Sequence, residues 1–316
     1  MSKIISIGEA LIDMIPSNKG DMKKVEGFTP YVGGAPLNVC GAVSKLGGKS
    51  YMITKLGNDG FGEKIIDYMN TYNINSDYVI RTNEAKTGLA FVTLLEEGKR
   101  EFTFYRNPSA DMLLDEDEIK EDWFKDCYAL HFCSVDLIEA PVKYAHLKAI
   151  DYALKNNSII SFDPNLRFNL WDDKELLKKT VLEFIPYANI LKISDEELEF
   201  ITGCKEILKA KKNLFKGNVK IVIYTCGSNG SYILTKNDEI FVNSMKVNAI
   251  DTTGAGDGFI GAFLYKLLEN NINLDLVTKP ILKEYLEFAN KFAGISVCKN
   301  GAIGSYPNKK EMMEEI

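Results

Sequence analysis

The chain has 316 residues, enough for one large domain or two modest ones. Hydrophobic residues make up 46% and charged residues 26%, which is the balance of a globular protein and excludes a disordered chain. The formal net charge of −6 disfavours nucleic acid and anionic membranes, so we expect neither as a partner.

Few residues suit disulfide, metal or histidine chemistry. The six cysteines are scattered without a CxxC pair, which predicts reduced thiols and a cytoplasmic protein. The two histidines, His131 and His146, lie in no signature of a Ser-His-Asp enzyme or a metal site. Residues 1–16 include Glu9 and Asp13 and lack the basic start and cleavage site of a signal peptide. No apolar run reaches about 18 residues, so no membrane span is expected.

Predicted strands alternate with predicted helices through most of the chain. Strands are predicted over residues 3–8, 129–133, 158–162, 190–193 and 220–225, and helices over 142–156, 173–185, 256–269 and 283–297. Buried strands separated by helices indicate parallel pairing with right-handed crossovers, hence an α/β fold with a mostly parallel sheet flanked by helices. Ligands of such sheets bind beyond the carboxyl ends of the strands.

A second, smaller sheet is predicted from the first third of the chain. Residues 87–96 and 100–106 alternate apolar and polar side chains around the turn Glu97-Gly98-Lys99, which predicts an antiparallel hairpin with one exposed face. We expect this hairpin and part of residues 11–31 to form a small β-sheet that projects from the main body as a lid. Extra strands of the main sheet are the alternative. We expect residues 1–316 to form a single domain that includes these lid strands.

The most specific motif is Asp251-Thr-Thr-Gly-Ala-Gly-Asp257, a glycine-rich turn that leads into an amphipathic helix. Free amides at a helix start, with the positive end of the dipole behind them, stabilise charge on a transferring phosphoryl group. An acid in the first helical turn is otherwise a plain capping residue. The small residues Gly254, Ala255 and Gly256 favour the ligand site, because they let the backbone approach a ligand closely.

A second motif is Gly33-Gly34-Ala-Pro-Leu-Asn38. Pro36 suits the first turn of a helix that ends at residues 47–48. The motif is either only a turn and helix start, or a site where two glycines admit a ligand and Asn38 hydrogen-bonds to it.

A third motif, Thr225-Cys-Gly227-Ser-Asn-Gly230, ends one predicted strand. As a bare pattern it is an ordinary turn. Beside a nucleotide site, its glycines would let a base or ribose lie against the backbone.

Together the three motifs resemble those of the ribokinase-like (PfkB) carbohydrate kinases, and the similarity extends over nearly the whole chain. Within that family the sequence is most similar to fructokinases. This similarity rests on the runs Gly8-Glu-Ala-Leu-Ile-Asp13, Gly33 to Asn38, Phe104-Tyr-Arg-Asn-Pro-Ser-Ala-Asp111 and Ser161-Phe-Asp-Pro-Asn-Leu-Arg167, with Trp171 following. The resemblance implies a Rossmann-like domain, a lid that closes over the sugar, ATP and Mg²⁺ as cofactors, and a homodimer formed through the lid.

The resemblance also implies a role for each residue that matches the family's site. Asp257 is the catalytic base, and Gly254, Ala255 and Gly256 form the anion hole. The implied sugar-binding residues are Asp13, Gly33, Gly34, Asn38, Phe104, Arg106 and Arg167. The implied nucleotide-binding residues are Lys192, Thr225, Gly227, Gly230 and Asn290.

The implied metal sites match the family less closely. The family's Asn-x-x-Glu pattern, linked to Mg²⁺, departs here because Ser194 replaces the Asn, and Glu197 is left to act through water. Some relatives bind a monovalent cation such as K⁺, and the positions that match their site are Asp251, Thr253, Ser296, Gly301 and Ser305.

Fructose is the expected sugar, and three alternatives stay open. The nearest is a kinase for 2-keto-3-deoxygluconate or another sugar, although Gly34-Ala35-Pro36 favours fructose by resemblance. A sugar-sensing protein without turnover has no need of the base Asp257. A nicotinamide dehydrogenase needs GxGxxG after the first strand, where Gly8-Glu-Ala stands instead.

Overall fold

The computed structural model describes residues 2–94, 100–171 and 173–314. Its strands, in chain order, are β1 (Lys3–Ile7), β2 (Leu11–Pro16), β3 (Phe28–Gly33), β4 (Ser50–Gly57), β5 (Val79–Thr82), β6 (Leu89–Leu94), β7 (Arg100–Tyr105), β8 (Cys127–Cys133), β9 (Ile159–Asp163), β10 (Ile190–Ser194), β11 (Ile221–Thr225), β12 (Ser231–Leu234) and β13 (Glu239–Val242). Its α-helices are α1 (Ala35–Lys45), α2 (Gly60–Thr71), α3 (Pro141–Lys155), α4 (Lys174–Phe184), α5 (Asp195–Thr202), α6 (Ile207–Leu214), α7 (Ala255–Glu269), α8 (Lys279–Ser296) and α9 (Lys309–Met313).

The larger sheet has the strand order β13-β12-β11-β10-β9-β8-β1-β4-β5. Seven adjacent strands in this order, β11-β10-β9-β8-β1-β4-β5, pair in parallel. Strands β12 and β13 add an antiparallel edge next to β11. The parallel strands are buried almost continuously, as expected of a sheet covered on both faces. The predicted α/β fold with a mostly parallel sheet is confirmed. The helices predicted over 256–269 and 283–297 correspond to α7 and α8, and the short helix α9, which was not predicted, follows α8.

The smaller sheet has the order β3-β2-β6-β7 and is separate from the larger one. Strands β2 and β3 pair antiparallel, as do β6 and β7, whereas β2 and β6 pair in parallel. The predicted hairpin and its grouping with residues 11–31 are therefore confirmed, and the alternative of extra strands in the larger sheet is wrong. The predicted turn at residues 97–99 lies outside the described residues.

Two helices on one face of the larger sheet pack closely enough to place the candidate site. A Cβ atom on Gly261 of α7 would lie 2.6 Å from the Cβ of Ala42 in α1, so only glycine permits this helix contact. The contact brings the amino-terminal turns of α1 and α7 together, with Pro36 in the first turn of α1 as predicted.

The structure describes all six cysteines. All six are free, and Cys40, Cys127 and Cys133 are buried. In the part of the chain that the structure describes, no helix is both long and apolar enough to cross a membrane.

Candidate active site

The glycine-rich motif forms the start of α7, and its backbone explains the small residues. Gly254 precedes the helix with a φ of 72°, in the left-handed region that favours glycine. A Cβ atom at this position would also lie 2.7 Å from the hydroxyl of Tyr306, which donates to the Gly254 carbonyl at 2.6 Å. The amides of the first turn of α7 have no partner within the helix, although that of Ala255 donates to the Thr252 carbonyl at 3.2 Å. A helix start of this kind can receive an anion.

Asp257 lies in that first turn and is only 8% exposed. Its Oδ2 atom accepts a hydrogen bond from Nδ2 of Asn38 at 2.9 Å, and its Oδ1 atom accepts one from Nδ2 of Asn165 at 3.3 Å. The buried Oδ1 atom of Asn38 has no hydrogen-bond partner among the described residues. Asn38 can therefore hold the Asp257 carboxylate and still accept a hydrogen bond from a ligand hydroxyl.

Burial sets the protonation behaviour of Asp257. Burial raises the pKa of its carboxyl, and the hydrogen bond from Asn38 and the charges of Arg167 and Lys192 offset only part of that rise. A helix start favours the ionised carboxylate, but here desolvation is the larger effect. A raised pKa makes this carboxylate a stronger proton acceptor than an exposed aspartate.

Asn165 and Asp163 were not predicted as site residues, although both lie in the run that carried the resemblance. Asp163 ends strand β9 and Asn165 follows it, so both lie at the carboxyl edge of the sheet. Arg167, which was predicted, donates from Nη1 to Oδ1 of Asn165. The signal that could have identified them is the polar Asp-Pro-Asn run directly after a buried strand.

A buried ion pair lies beside the start of α7. Nζ of Lys192, in the neighbouring strand β10, is 2.6 Å from Oδ2 of Asp163. Burial opposes the ammonium charge, but Asp163 and Glu197 outweigh it and raise the pKa of Lys192. Burial raises the pKa of Asp163 to about 6, against the opposing effect of Lys192. A Cβ atom on Gly256 would lie 3.4 Å from Nζ of Lys192, so a positive charge lies next to the first turn of α7.

Several of the predicted sugar residues lie on or next to the smaller sheet. Asp13 is on β2, and its carboxylate lies against the α-carbon of Gly33, where a Cβ atom would overlap Oδ2. Gly34 precedes α1 with a φ of 119°, and Glu9 accepts the next amide, that of Ala35, at 2.8 Å. Phe104 is on β7, opposite Ala90 of β6.

Arg106 lies in a buried cluster of charges that the sequence did not indicate. Its Nη2 atom donates to Asp111 and to Asp136, and the residue is 7% exposed. Burial and the charge of Asp136 raise the pKa of the nearby Glu9 to about 8. Burial likewise raises the pKa of Asp136 to about 6, although Arg106 opposes the rise. The guanidinium is thus neutralised by aspartates, and its role in lining a sugar pocket stays a prediction.

Four of the predicted nucleotide residues lie at the end of β11, in the turn that follows it, and in α8. Thr225 ends β11, and Gly230 has a φ of 102° in the turn that leads to β12. Gly227 also has a positive φ, of 52°. Asn290 of α8 donates to Oγ of Ser231 at 2.8 Å. It borders a groove of about 490 Å³ lined by Val242, Asn243, Ser244, Met245, Glu287, Asn290 and Lys291.

The predicted metal residues fall into two groups. Glu197 stabilises the start of α5, because its two oxygens accept the backbone amides of Leu166 and Ser194, each at 2.8 Å. Asp251 joins two segments: Oδ1 accepts the amide and hydroxyl of Thr253 at 3.0 and 2.7 Å, and Oδ2 accepts the amide of Gly301 at 3.0 Å.

The last two residues of the predicted monovalent-cation site are serines, and their hydroxyls bind backbone carbonyls of their own segment. Ser296 and Ser305 each donate to a backbone carbonyl three residues earlier, at 2.8 Å. Among the residues that the structure describes, no group of three or more His, Cys, Asp and Glu side chains could hold a metal ion.

Comparisons with known proteins show the family of this chain. Residues 1–309 match the pfkB family carbohydrate kinase model. The chain is 40% identical over 313 residues to the probable fructokinase-4 of Arabidopsis thaliana, covering 98% of this chain and 95% of that protein. The ATP-bound fructokinase structure from Xylella fastidiosa superposes with a TM-score of 0.91 at 29% identity, covering 99% of this chain and 98% of that one.

A further solved structure is a double mutant of the fructokinase from Vibrio cholerae O395, bound to fructose, ADP and potassium ion. It superposes with a TM-score of 0.87 at 29% identity and covers 99% of this chain and 97% of its own. The family match spans residues 1–309, and each of these two structures covers 99% of this chain. The chain therefore belongs to the pfkB family of carbohydrate kinases and is a sugar kinase.

Proposed function

We propose that this sugar kinase transfers the γ-phosphoryl group of ATP to fructose and forms fructose 6-phosphate. The observation that carries the proposal is the buried Asp257 carboxylate in the first turn of α7, held there by Asn38. The high identity to a plant protein described as a probable fructokinase, and the likeness to fructokinase structures bound to ATP, or to fructose and ADP, support fructose as the sugar.

In the proposed mechanism, Asp257 accepts the proton of the attacking sugar hydroxyl. The amides of Gly254, Ala255 and Gly256 stabilise the negative charge that develops on the transferring phosphoryl group. Lys192 adds a positive charge at the same turn. Because phosphoryl transfer depends on positioning and on charge stabilisation, these groups suffice without a covalent intermediate.

Magnesium enters as part of the MgATP substrate and neutralises charge on the phosphates. Such an ion needs only one or two protein carboxylates. Glu197 and Asp163 fit that role. Each Glu197 oxygen accepts a single backbone amide, and Oδ1 of Asp163 is buried without a hydrogen-bond partner among the described residues.

The remaining proposed ligand contacts fall into a sugar set and a nucleotide set. Asp13, Gly33, Gly34, Asn38, Phe104, Arg106 and Arg167 are proposed on the sugar side, and Thr225, Gly227, Gly230 and Asn290 on the nucleotide side. The groove next to Asn290 supports the second set, since it lies beyond the end of β13 and next to α8.

We further propose that residues 1–316 form one domain, with the small sheet as a lid over the sugar and as the contact between two subunits. Tyr31 and Tyr105 of the small sheet are 53% and 61% exposed, which supports a contact surface there. The six free cysteines support a reducing, cytoplasmic location.

A coupled assay of ADP release, run with MgATP over a panel of sugars, tests the proposal. Fructose should have a far higher kcat/KM than ribose, adenosine or 2-keto-3-deoxygluconate. The highest kcat/KM with 2-keto-3-deoxygluconate would overturn fructose as the substrate and leave the family unchanged. Sugar binding without ADP release from any member of the panel would instead favour a sugar-sensing regulator.

A further inference from the structure

Asn165 stands between an arginine and the carboxylate of Asp257. Its Oδ1 atom accepts a hydrogen bond from Nη1 of Arg167, and its Nδ2 atom lies 3.3 Å from Oδ1 of Asp257. The residue has a φ of 47°, a left-handed conformation that asparagine adopts more readily than most residues. This backbone turn directs the side chain of a residue just beyond β9 toward the start of α7.

Arg167 decides which way the Asn165 amide faces. A guanidinium donates hydrogen bonds and accepts none, so the carbonyl oxygen of Asn165 must face Arg167. The NH₂ group is then left to face Asp257. The reversed amide would place NH₂ against the guanidinium and a carbonyl oxygen against a carboxylate, which is unfavourable on both sides.

The two oxygens of Asp257 are consequently held by two different amides. Asn38 donates to Oδ2 at 2.9 Å and Asn165 donates to Oδ1 at 3.3 Å. Two donors on opposite oxygens restrict rotation of the carboxylate and leave lone pairs to accept a proton. Each donor also favours the ionised form, which burial disfavours.

We propose that Asn165 is a positioning residue: oriented by Arg167, it holds the carboxylate of Asp257 in place to accept the proton of the sugar hydroxyl. This inference rests on the proposed role of Asp257 as the base and adds to it a residue that need not contact the substrate. The charges of Arg167 and Lys192 also lower the pKa of Asp257. The charge of Asp257 in turn raises the pKa values of the neighbouring groups Asp163, Tyr306 and Cys133.

Asn165→Asp is the direct test. It keeps the size of the side chain, tolerates the left-handed backbone and can still pair with Arg167, but it cannot donate to Asp257 when ionised. The added negative charge should raise the pKa of Asp257 further, since a like charge within a few ångströms disfavours ionisation. We expect kcat to fall by about 10-fold or more at pH 7, and the acid limb of the pH profile of kcat/KM to move up by about one unit. The KM for ATP should change little.

Two variants separate this role from a structural one. Asn165→Gly removes the donor without adding charge and suits the left-handed backbone, so kcat should fall while the acid limb moves less than in Asn165→Asp. Asn157→Asp is the matched control, because Asn157 is an exposed asparagine with a φ of 56°. It should keep the wild-type kcat and pH profile. Melting curves show that each variant is folded at the assay temperature.

The outcomes distinguish this proposal from the one it rests on. If Asp257→Asn is inactive while Asn165→Asp and Asn165→Gly both keep the wild-type kcat and pH profile, the positioning role is wrong and the base stands. If Asp257→Asn is active, the base assignment fails and the positioning role fails with it. A folded Asn165→Gly variant whose kcat equals that of the wild type contradicts the proposal even where Asn165→Asp does not fold.

Discussion

The side-chain amide of Asn38 donates to the carboxylate of Asp257 at 2.9 Å, although 219 positions separate the two residues in the chain. The contact exists because α1 and α7 begin side by side, and their backbones approach closely at Gly261. The hydrogen bond therefore joins the motif Gly33 to Asn38 directly to the glycine-rich motif Asp251 to Asp257.

That hydrogen bond predicts the effect of Asn38→Ala. The change leaves Oδ2 of Asp257 buried without its donor, and such a loss costs about 1–3 kcal/mol. We expect kcat/KM for the sugar to fall by about 10-fold to 100-fold, while the KM for ATP is nearly unchanged. Steady-state kinetics with each substrate varied in turn measure this. The exposed Asn70 in α2 provides a matched control, and Asn70→Ala should behave as the wild type. An equal rise of both KM values would assign Asn38 a structural role.

Asp13 should contribute to sugar binding and not to ATP binding. Its loss in Asp13→Ala removes an acceptor for sugar hydroxyls, at a cost of about 1–3 kcal/mol, and should raise the sugar KM or lower kcat/KM. Gly33→Ala should produce the same effect, because a Cβ atom on Gly33 would displace the Asp13 carboxylate.

The matched control for Gly33→Ala is Gly27→Ala, where the added Cβ atom would lie no closer than 3.8 Å to Ser17. This control should leave both KM values unchanged. If Asp13→Ala weakens sugar and ATP equally, the residue supports the fold and not the sugar.

The fold could be predicted from the sequence where the patterns are long and local. The buried strands β8 to β11 and the helices α1, α3, α4, α7 and α8 follow from apolar runs and helical periodicity. The elements that were not predicted, α2, α5, α6, α9, β5, β12 and β13, are mostly short, and β5, β12 and β13 lie at the two edges of the larger sheet.

The site could be predicted only where a motif carries its own geometry. The turn at Gly254 and the position of Asp257 are set by neighbouring residues, so the pattern is sufficient. The contact between Asn165 and Asp257, and the ion pair between Lys192 and Asp163, instead depend on which strands lie next to each other. Side-chain contacts between distant segments leave no periodic signal in one sequence.

The buried Glu9 should make stability depend on pH. Its pKa is about 8 in the folded protein, against an ordinary value of 4.5, because burial and Asp136 oppose its charge. A raised pKa means that the folded state binds the proton more tightly than the unfolded state. The stabilisation is therefore fully present below pH 4.5 and is lost as the pH rises through about 8.

We expect the Tm of the wild type to fall as the pH is raised from about 6 to 9, and Glu9→Gln to fall less over the same range. The glutamine keeps the acceptor for the Ala35 amide, which Glu9 binds at 2.8 Å. Thermal melts at several pH values, with the exposed Glu183→Gln as control, measure the difference. Parallel pH curves for wild type and Glu9→Gln would show that Glu9 is not the group that titrates.

Potassium should raise the rate relative to sodium or a large organic cation. Asp251 joins the segments of Thr253 and Gly301 next to the anion-hole turn, so an ion bound there would stabilise that turn. The rate should be measured in matched chloride salts at constant ionic strength. Identical rates in all salts would remove the monovalent-cation site from the account.

The kcat of Asp257→Asn tests the central claim most directly. Asparagine keeps the size of the side chain and part of its hydrogen bonding, but it cannot accept the sugar proton. A positioned general base contributes about 10²-fold to 10⁴-fold, so kcat should fall by at least about 10²-fold while the Tm and the affinities for ATP and fructose change little. If Asp257 only caps α7, asparagine should replace it well. A variant that binds both substrates and retains more than about a tenth of the wild-type kcat would contradict Asp257 as the base.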